Sequence, residues 1–389
     1  MHATQAYGSK ALYDRCVESP TNRAPHMTAC IGDVDHPLVW SYTEWQPLEE
    51  VIVGVIDGAM FPPWHVSVAA PIPRHNRGLF RDRAGTTFPT EQVAAASREL
   101  EQFVDLLEGE GVRVRRPEPK NQLCEYGAPG WRSTGLYDAM PRDVLLILGD
   151  EILECPMAWR SRYYATSAYR PLLKEYFRAG ARWTAAPKPE LSDQLYDEAW
   201  ADDSDDCRGG FHSVITEFEP AFDAADFTRC GRDIFCQRSH VTNEFGIEWL
   251  RRHVDGRFRV HVIEANDDHP MHIDATLLPL APGKLLVNPE RLPRVPAIFA
   301  GWDILCAPTP VISAQHPLYM SSNWLNMNLL SIDEDRVVVE EQDQPMIAAL
   351  KDWGFTPIPC PFRNFNSFGG SFHCATLDVR RRGPLESYF

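Results

Sequence analysis

A pattern that recurs five times constrains the fold of this 389-residue chain more than any other feature. In each copy a helix-like segment ends near a glycine and passes into a short apolar run, which mostly stops at a proline. A glycine suits the left-handed position that follows a helix, and a short apolar run fits a buried strand. The five copies are residues 99–119, 172–189, 246–264, 296–310 and 346–362.

Each copy is accompanied by a second strand-like segment. These segments are residues 50–58, 143–156, 233–239, 283–290 and 335–341. Within the second of them, Gly149–Asp150 separates two apolar runs and predicts a hairpin turn. Five β-rich units with one helix each predict a closed ring of αβ modules around a centre. The pattern alone leaves one alternative open, an open α/β domain built from the same helix–glycine–strand segments.

The chain predicts one folded domain behind a loose N-terminal segment. Residues 1–40 are polar and irregular, and we interpret them as a flexible extension. Residues 41–389 contain no glycine- or serine-rich linker and no long charge run, which favours a single domain over several. The N-terminus has no apolar stretch of a secretory signal, and it carries acidic residues that transit peptides lack. No apolar run approaches the roughly 18–20 residues that span a bilayer, so we expect a cytoplasmic protein.

Charge and cysteine content exclude several classes of partner and site. With 38 Lys and Arg against 54 Asp and Glu, the formal net charge is −16, which argues against nucleic acid or an anionic membrane as the main partner. The ten cysteines form no CxxC pair and are too sparse for a disulfide scaffold, so we expect most to be buried and reduced. No dinucleotide, P-loop or zincin motif is present, and we predict no cofactor and no metal.

The segment SFGGSFHCATLDVRRRG (367–383) holds the strongest candidate for a nucleophile. Cys374 follows a glycine-rich turn and leads into a strand-like run. A thiolate on such a loop can attack a substrate, although most single cysteines are structural. On a strand, the neighbouring His373 would point to the opposite face from Cys374.

Three further segments contain acids or a histidine in places that suit a site. His272 and Asp274 are two residues apart, so a strand would put both on one face, where one could act as a base and the other could hold a cation. Asp223 and Asp226 lie in the apolar stretch FDAADF, and a buried Asp223 could orient an imidazole through its Nδ1–H. Helix capping is the alternative there. Asp143 begins a predicted strand, with a plain turn residue as the alternative.

Four segments in order closely resemble the L-arginine:glycine amidinotransferase family and its bacterial relatives. They are FDAADF, MHIDAT…APGK…NPER, MSSNWLNMN and GGSFHCATLDVRRRG, and the resemblance runs from about Trp45 to Phe389. It implies the five-bladed αβ propeller of guanidino-group-modifying enzymes, in agreement with the five units. It also implies transfer of an amidino group from L-arginine through a cysteine to an acceptor amine, with no metal or organic cofactor.

The resemblance assigns roles to individual residues of this chain. Cys374 matches the family's nucleophile, and His272 matches its general acid and base. Asp223 matches the carboxylate that orients this histidine. Asp143 and Asp274 match the pair that holds the guanidinium.

The resemblance also concerns the two substrates. Arg291, with Ser321 and Ser322, matches the groups that bind the amino-acid end of the donor, although Leu292 stands where the family's motif continues with proline. The bulky Met271 is expected to narrow the pocket, which favours glycine as acceptor and guanidinoacetate and ornithine as products. Lysine, a natural-product amine, or water in a deiminase-like hydrolase are the alternatives. The expected partners are L-arginine and a small amine, and the expected assembly is a homodimer.

Overall fold

The computed structural model describes residues 37–200, 211–267, 269–312, 316–317, 320 and 323–389. Residues 37–389 form one compact unit. Most of the predicted N-terminal extension lies outside the described residues. Near residue 40, where the extension is predicted to end, Val39 is buried and the Trp40 backbone N–H donates to the carbonyl of Val379 at 2.9 Å. The predicted extension and its end at residue 40 stay predictions.

The described residues contain eight α-helices and seventeen β-strands. The helices are α1 (Val66–Ala69), α2 (Arg77–Arg83), α3 (Thr90–Gly109), α4 (Pro141–Val144), α5 (Arg170–Arg178), α6 (Glu244–His253), α7 (Gln344–Asp352) and α8 (Arg363–Asn366). The strands of the first half are β1 (Leu48–Val53), β2 (Arg113–Arg115), β3 (Tyr126–Ala128), β4 (Trp131–Ser133), β5 (Leu145–Leu148), β6 (Glu151–Glu154) and β7 (Arg182–Ala185). Those of the second half are β8 (Phe227–Cys230), β9 (Asp233–Cys236), β10 (Arg259–Val262), β11 (Leu277–Ala281), β12 (Lys284–Val287), β13 (Asp303–Cys306), β14 (Leu330–Ser331), β15 (Arg336–Glu340), β16 (Thr356–Cys360) and β17 (Thr376–Arg381). None of the described helices is both long and apolar enough to cross a membrane.

Fifteen of the described strands form five three-stranded sheets that repeat one topology. The middle strand of each sheet pairs antiparallel with one neighbour and parallel with the other. The sheets are β17–β1–β2, β5–β6–β7, β8–β9–β10, β11–β12–β13 and β14–β15–β16, while β3 and β4 form a separate hairpin. These sheets are the blades of a five-bladed αβ propeller, so the predicted ring is confirmed. The pairing of β1 with β17 joins the first and last strands in one blade.

The predicted units correspond closely to the blades. Helices α3, α5, α6 and α7 each lie between the middle and the last strand of a blade. The glycines predicted to follow the helices all adopt the left-handed conformation; they are Gly111, Gly180, Gly256, Gly301 and Gly354, with φ between +75° and +100°. The predicted hairpin turn at Gly149 joins β5 to β6.

The fourth unit departs from the prediction in one respect. Only the 3-10 turn Ala297–Phe299 stands where a helix was predicted. Pro296 immediately precedes this turn, and Pro293 lies just before it, so the segment has fixed φ angles and lacks two backbone donors. The next strand begins at Asp303, so the turn cannot extend far beyond Phe299.

A cluster of buried charged side chains connects the blades near the centre of the ring. Arg229 on β8 donates to Glu44 through Nε at 2.9 Å and Nη2 at 2.8 Å, and Arg142 on α4 donates to the same carboxylate at 3.2 Å. Both arginines also bind Asp378 on β17, as does Arg381 at 2.6 Å. Burial alone would raise the pKa of Glu44, but Arg229 and Arg142 hold that pKa well below its usual range. The arginines likewise hold the pKa of Asp378 far below its usual value against the effect of burial.

Replacing Arg229 by leucine should destabilise the fold strongly. The change leaves Glu44 and Asp378 buried with fewer cations, and removing one partner of a buried ion pair costs about 3–5 kcal/mol. Urea unfolding measures the loss. Arg232→Leu is the matched control, because Arg232 is exposed and follows the same strand, and it should change stability by no more than about 0.5 kcal/mol. Equal effects of the two substitutions would show that the cluster does not stabilise the fold.

Candidate active site

Cys374 lies in a tight turn directly before β17. Its side chain is buried, and Gly370 approaches it so closely that a Cβ added to this glycine would lie 2.7 Å from the Cys374 Cβ. Arg142 stabilises the turn, because its Nε donates to the carbonyls of His373 at 2.9 Å and Thr376 at 3.1 Å. The predicted glycine-rich turn is therefore confirmed, although the strand begins only at Thr376.

His272 and Asp274 both lie close to Cys374, but not by way of a strand. His272 has φ +66° and ψ +129°, and Asp274 belongs to the 3-10 turn Ile273–Ala275 that follows. The prediction that strand alternation aligns them is wrong, because the chain reverses at this left-handed residue. A positive φ on a side chain larger than glycine is strained, and such strain concentrates at functional sites. Asp274 Oδ2 lies 3.6 Å from Cys374 Sγ.

Asp223 contacts the His272 ring as predicted, but through the other ring nitrogen. His272 Nε2 lies 3.2 Å from Asp223 Oδ2, and His272 Nδ1 lies 3.7 Å from Asp143 Oδ1. The alternative role of Asp223 as a helix cap is wrong, since its side chain caps no backbone N–H among the described residues. Asp226 faces away from this pair and accepts from Ser239 Oγ at 2.6 Å.

Asp143 lies in α4 and not at the start of β5. Pro141 at the first helical position favours this single helical turn. Asp143 Oδ2 accepts from Arg162 Nη1 at 2.8 Å, whereas Oδ1 has no hydrogen-bond partner among the described residues. The same Arg162 nitrogen lies 3.6 Å from Asp223 Oδ2. Arg162 is buried, so its charge offsets two carboxylates at once.

The protonation states follow from these contacts. Burial alone would lower the pKa of His272, but Asp143 and the bond to Asp223 raise it well above its usual value, so the ring is an imidazolium. Burial, reinforced by Asp274, raises the pKa of Cys374 to about 12, so the resting thiol is neutral. Burial also disfavours ionised Asp274, yet the bond and charge of His373 bring the pKa of Asp274 below its usual range.

The grouping of these side chains suits a cation. Asp274 is ionised, and the Asp143 Oδ1 atom is buried without a partner in the described part of the chain. One ligand atom each from Asp143, His272 and Cys374 lies within 4.8 Å of the others, so these three residues could also hold a metal ion. The absence of a cofactor stays a prediction.

The predicted binding groups for the amino-acid end are described only in part. Arg291 Nε lies 3.0 Å from Asp267 Oδ2, and Arg291 Nη1 donates to the carbonyl of Ala275, the neighbour of Asp274, at 3.5 Å. Met271 is half-buried and packs against the hydrophobic cluster that contains Cys374. Ser321 and Ser322 lie outside the described residues.

Four residues of the site were not predicted: Glu44, Arg162, Asn328 and His373. His373 bridges two carboxylates, with Nδ1 2.8 Å from Asp274 Oδ2 and Nε2 3.2 Å from Glu44 Oε2. The prediction that it points away from Cys374 is wrong, because both residues lie in a turn and both contact Asp274. Asn328 and His373 belong to the motifs that carry the family resemblance and could have been found there. For Glu44 and Arg162 the sequence offers no signal that separates a buried charge from an exposed one.

The chain is similar to known proteins in both sequence and structure. No family model matches the chain. It is 62% identical over 350 residues to the L-arginine:L-lysine amidinotransferase of Pseudomonas savastanoi pv. phaseolicola, covering 90% of this chain and 96% of that protein. It is 49% identical over 357 residues to the mitochondrial glycine amidinotransferase of Danio rerio, covering 90% of this chain and 85% of the relative.

The fold is shared with a solved amidinotransferase from Microseira wollei that belongs to the saxitoxin biosynthetic pathway. The TM-score is 0.86 and the sequence identity 51%, with 90% of this chain and 100% of the other covered. Matches of this extent, over nearly the whole length of each relative, establish that the chain belongs to the amidinotransferase family of transferases.

Proposed function

We propose that the protein moves the amidino group of L-arginine onto Cys374 and from there to an acceptor amine. The observation that carries this proposal is the close arrangement of four buried side chains. Asp274 Oδ2 lies 3.6 Å from the Cys374 sulfur, and Asp143 Oδ1, which has no hydrogen-bond partner among the described residues, lies 3.7 Å from the His272 ring. The proposed nucleophile, the proposed acid and two carboxylates for a planar cation are thus close together.

Binding of arginine positions and activates the nucleophile. The guanidinium is a planar cation with five N–H donors, and charge-assisted bonds to carboxylates fix its orientation. Asp143 offers one oxygen, because Arg162 already occupies the other. A cation held beside Cys374 lowers the pKa of the thiol, which opposes the effect of burial. The thiolate then forms only when the donor is bound.

The first half-reaction releases ornithine. Cys374 Sγ bonds to the guanidinium carbon, and the bond from that carbon to the side-chain nitrogen of arginine breaks. The thiol proton, lost when arginine binds, passes to water, and His272, held by Asp223, gives its own proton to the departing nitrogen and is left neutral. The amidino group remains on sulfur as a cationic amidino-cysteine.

The second half-reaction transfers the amidino group. An acceptor amine enters the vacated position, gives a proton to His272 and bonds to the amidino carbon. The carbon–sulfur bond breaks, and the thiolate recovers its proton. Two displacements through one covalent intermediate predict ping-pong kinetics. Neither displacement needs a metal or an organic cofactor.

For the acceptor we favour L-lysine. Lysine ends in a primary amine and has the same α-amino acid group as ornithine, so it can occupy the position that ornithine leaves. The relative with 62% identity is named for lysine, whereas the Danio rerio relative at 49% is named for glycine. Glycine, the acceptor predicted from the sequence, remains the second candidate because Met271 packs close to the Cys374 cluster.

The acceptor is identified by the products of arginine offered with lysine, glycine, 4-aminobutyrate or water alone. We expect homoarginine from lysine with a kcat/KM above that for guanidinoacetate from glycine. Mass spectrometry separates the products. Faster formation of guanidinoacetate would assign glycine, and citrulline formation without an amine would assign a hydrolase.

Cys374→Ser should abolish turnover, because an alcohol of high pKa cannot attack a guanidinium. Wild-type protein incubated with arginine alone should gain the mass of an amidino group on the peptide that contains Cys374. Cys360→Ser, which changes another buried cysteine of the same hydrophobic cluster, should leave both results unchanged. An active Cys374→Ser variant would exclude the covalent route.

Asp223→Asn and Asp274→Asn should have separable effects. Asp223→Asn should lower kcat by about 100-fold or more with little change in arginine binding, because it weakens general acid catalysis by His272. The substitution also removes a negative charge beside His272, which lowers the pKa of the ring. The alkaline limb of the kcat–pH profile, which reports this pKa, should therefore move to lower pH. Asp274→Asn should mainly weaken arginine binding, measured by calorimetry. The same binding defect in both variants would contradict this division of roles.

A further inference from the structure

The Asn328 side chain joins the nucleophile to a carboxylate of the cation site. Asn328 follows the 3-10 turn Asn323–Met327 and is buried. Its Nδ2 donates to Asp274 Oδ2 at 2.6 Å and to Cys374 Sγ at 3.1 Å. One amide nitrogen thus contacts both the reacting sulfur and the group that would hold the guanidinium.

The orientation of this amide is fixed by its other end. Asn328 Oδ1 accepts the backbone N–H groups of Ser371 and Cys374, both at 3.0 Å. Backbone N–H groups only donate, so the oxygen must face them and the NH₂ group must face Asp274 and the sulfur. The two hydrogens of Nδ2 therefore serve one acceptor each.

The position of Asn328 in the fold points to the same site. The proposed functional residues lie just before the strand that pairs antiparallel with the middle strand in four blades, and Asn328 lies just before the corresponding strand of the fifth. The positions are Asp143 before β5, Asp223 before β8, Asp274 before β11, Asn328 before β14 and Cys374 before β17. Every blade of the ring thus contributes at least one polar side chain from the equivalent place.

We propose that Asn328 is a further catalytic residue, whose amide N–H stabilises the Cys374 thiolate beside the ionised Asp274. This inference rests on the proposed role of Cys374 as nucleophile. The sulfur is 3.6 Å from Asp274 Oδ2, so a thiolate there is repelled by a second anion. Asn328 Nδ2 donates to both anions and offsets that repulsion. Asp143 and His272 are the other charged groups that act on the thiol.

The hydrogen bond from Asn328 stabilises the states in which the Cys374 sulfur carries negative charge. A bond from N–H to a thiolate is charge-assisted and stronger than one to a neutral sulfur. The sulfur is anionic when it attacks arginine and again when it leaves the amidino group. It is not anionic in the covalent intermediate, so Asn328 favours entry to and exit from that intermediate.

Asn328→Asp tests the inference, because it keeps the Oδ1 acceptor and replaces the donor with a carboxylate oxygen. The rate of iodoacetamide alkylation of Cys374 at a fixed, mildly alkaline pH, followed by peptide mass spectrometry, reports the small fraction of thiolate. We expect this rate to fall and kcat/KM for arginine to fall about 100-fold or more, the usual effect of losing one such donor. Asn326→Asp is the matched control: it lies in the preceding 3-10 turn, its Nδ2 binds the Pro308 carbonyl at 3.0 Å, and it should leave the alkylation rate unchanged.

Asn328→Ser provides a second variant if the new carboxylate prevents folding. It is neutral and too short to keep the bond to sulfur, so its alkylation rate should fall as well, by a smaller factor. A purely structural role of Asn328 would lower the melting temperature and the activity without lowering the alkylation rate of the folded protein, and that result would overturn the inference. An active Cys374→Ser variant would instead overturn the proposed function, so the two failures are distinguishable.

Discussion

The antiparallel pairing of β1 with β17 is the constraint on which the site depends. It joins the first described strand to the last, with Ile52 opposite Leu377 and Val53 opposite Thr376. Cys374 lies two residues before β17, so the pairing that completes the first blade also places the proposed nucleophile. A site built from all five blades has its geometry only when the ring is closed. Loss of this pairing would therefore remove the nucleophile from the other site residues as well as an edge from the sheet.

The buried ion cluster next to the site connects the closure of the ring to the charges of the site. Arg142 binds Glu44 and Asp378 and also the carbonyls that flank Cys374, while His373 links Glu44 to Asp274. Buried charges are tolerated when they are paired and hydrogen-bonded. Here the pairs do more than neutralise one another, because they fix the turn of the nucleophile and keep Asp274 ionised. The charges that hold the blades together are continuous with those that would bind the substrate.

The five-fold repeat could be predicted from the sequence because each of its signals is local. A helix, a left-handed glycine and a short apolar strand each depend on neighbouring residues, and only the proline-containing fourth unit lost its helix. The candidate site residues were predicted through long motifs, and the structure brings Cys374, His272, Asp223, Asp143 and Asp274 together. The conformations around them were not predictable, because the left-handed His272 and the turn at Cys374 depend on contacts between blades. Arg162 was missed for the same reason: only the folded chain brings it between Asp143 and Asp223.

The proposed mechanism explains the effect of a Cys374 thiol that stays protonated until the substrate binds. Burial, Asp274 and Asp143 disfavour the thiolate, while the imidazolium of His272 and the hydrogen bond from Asn328 favour it. A guanidinium adds a full positive charge between Asp143 and Asp274, directly beside the sulfur. A neutral analogue such as a urea adds none, even when its shape is the same. Discrimination between cationic and neutral substrates therefore arises in the protonation of Cys374 as well as in binding, and the free enzyme reacts only slowly with alkylating and oxidising agents.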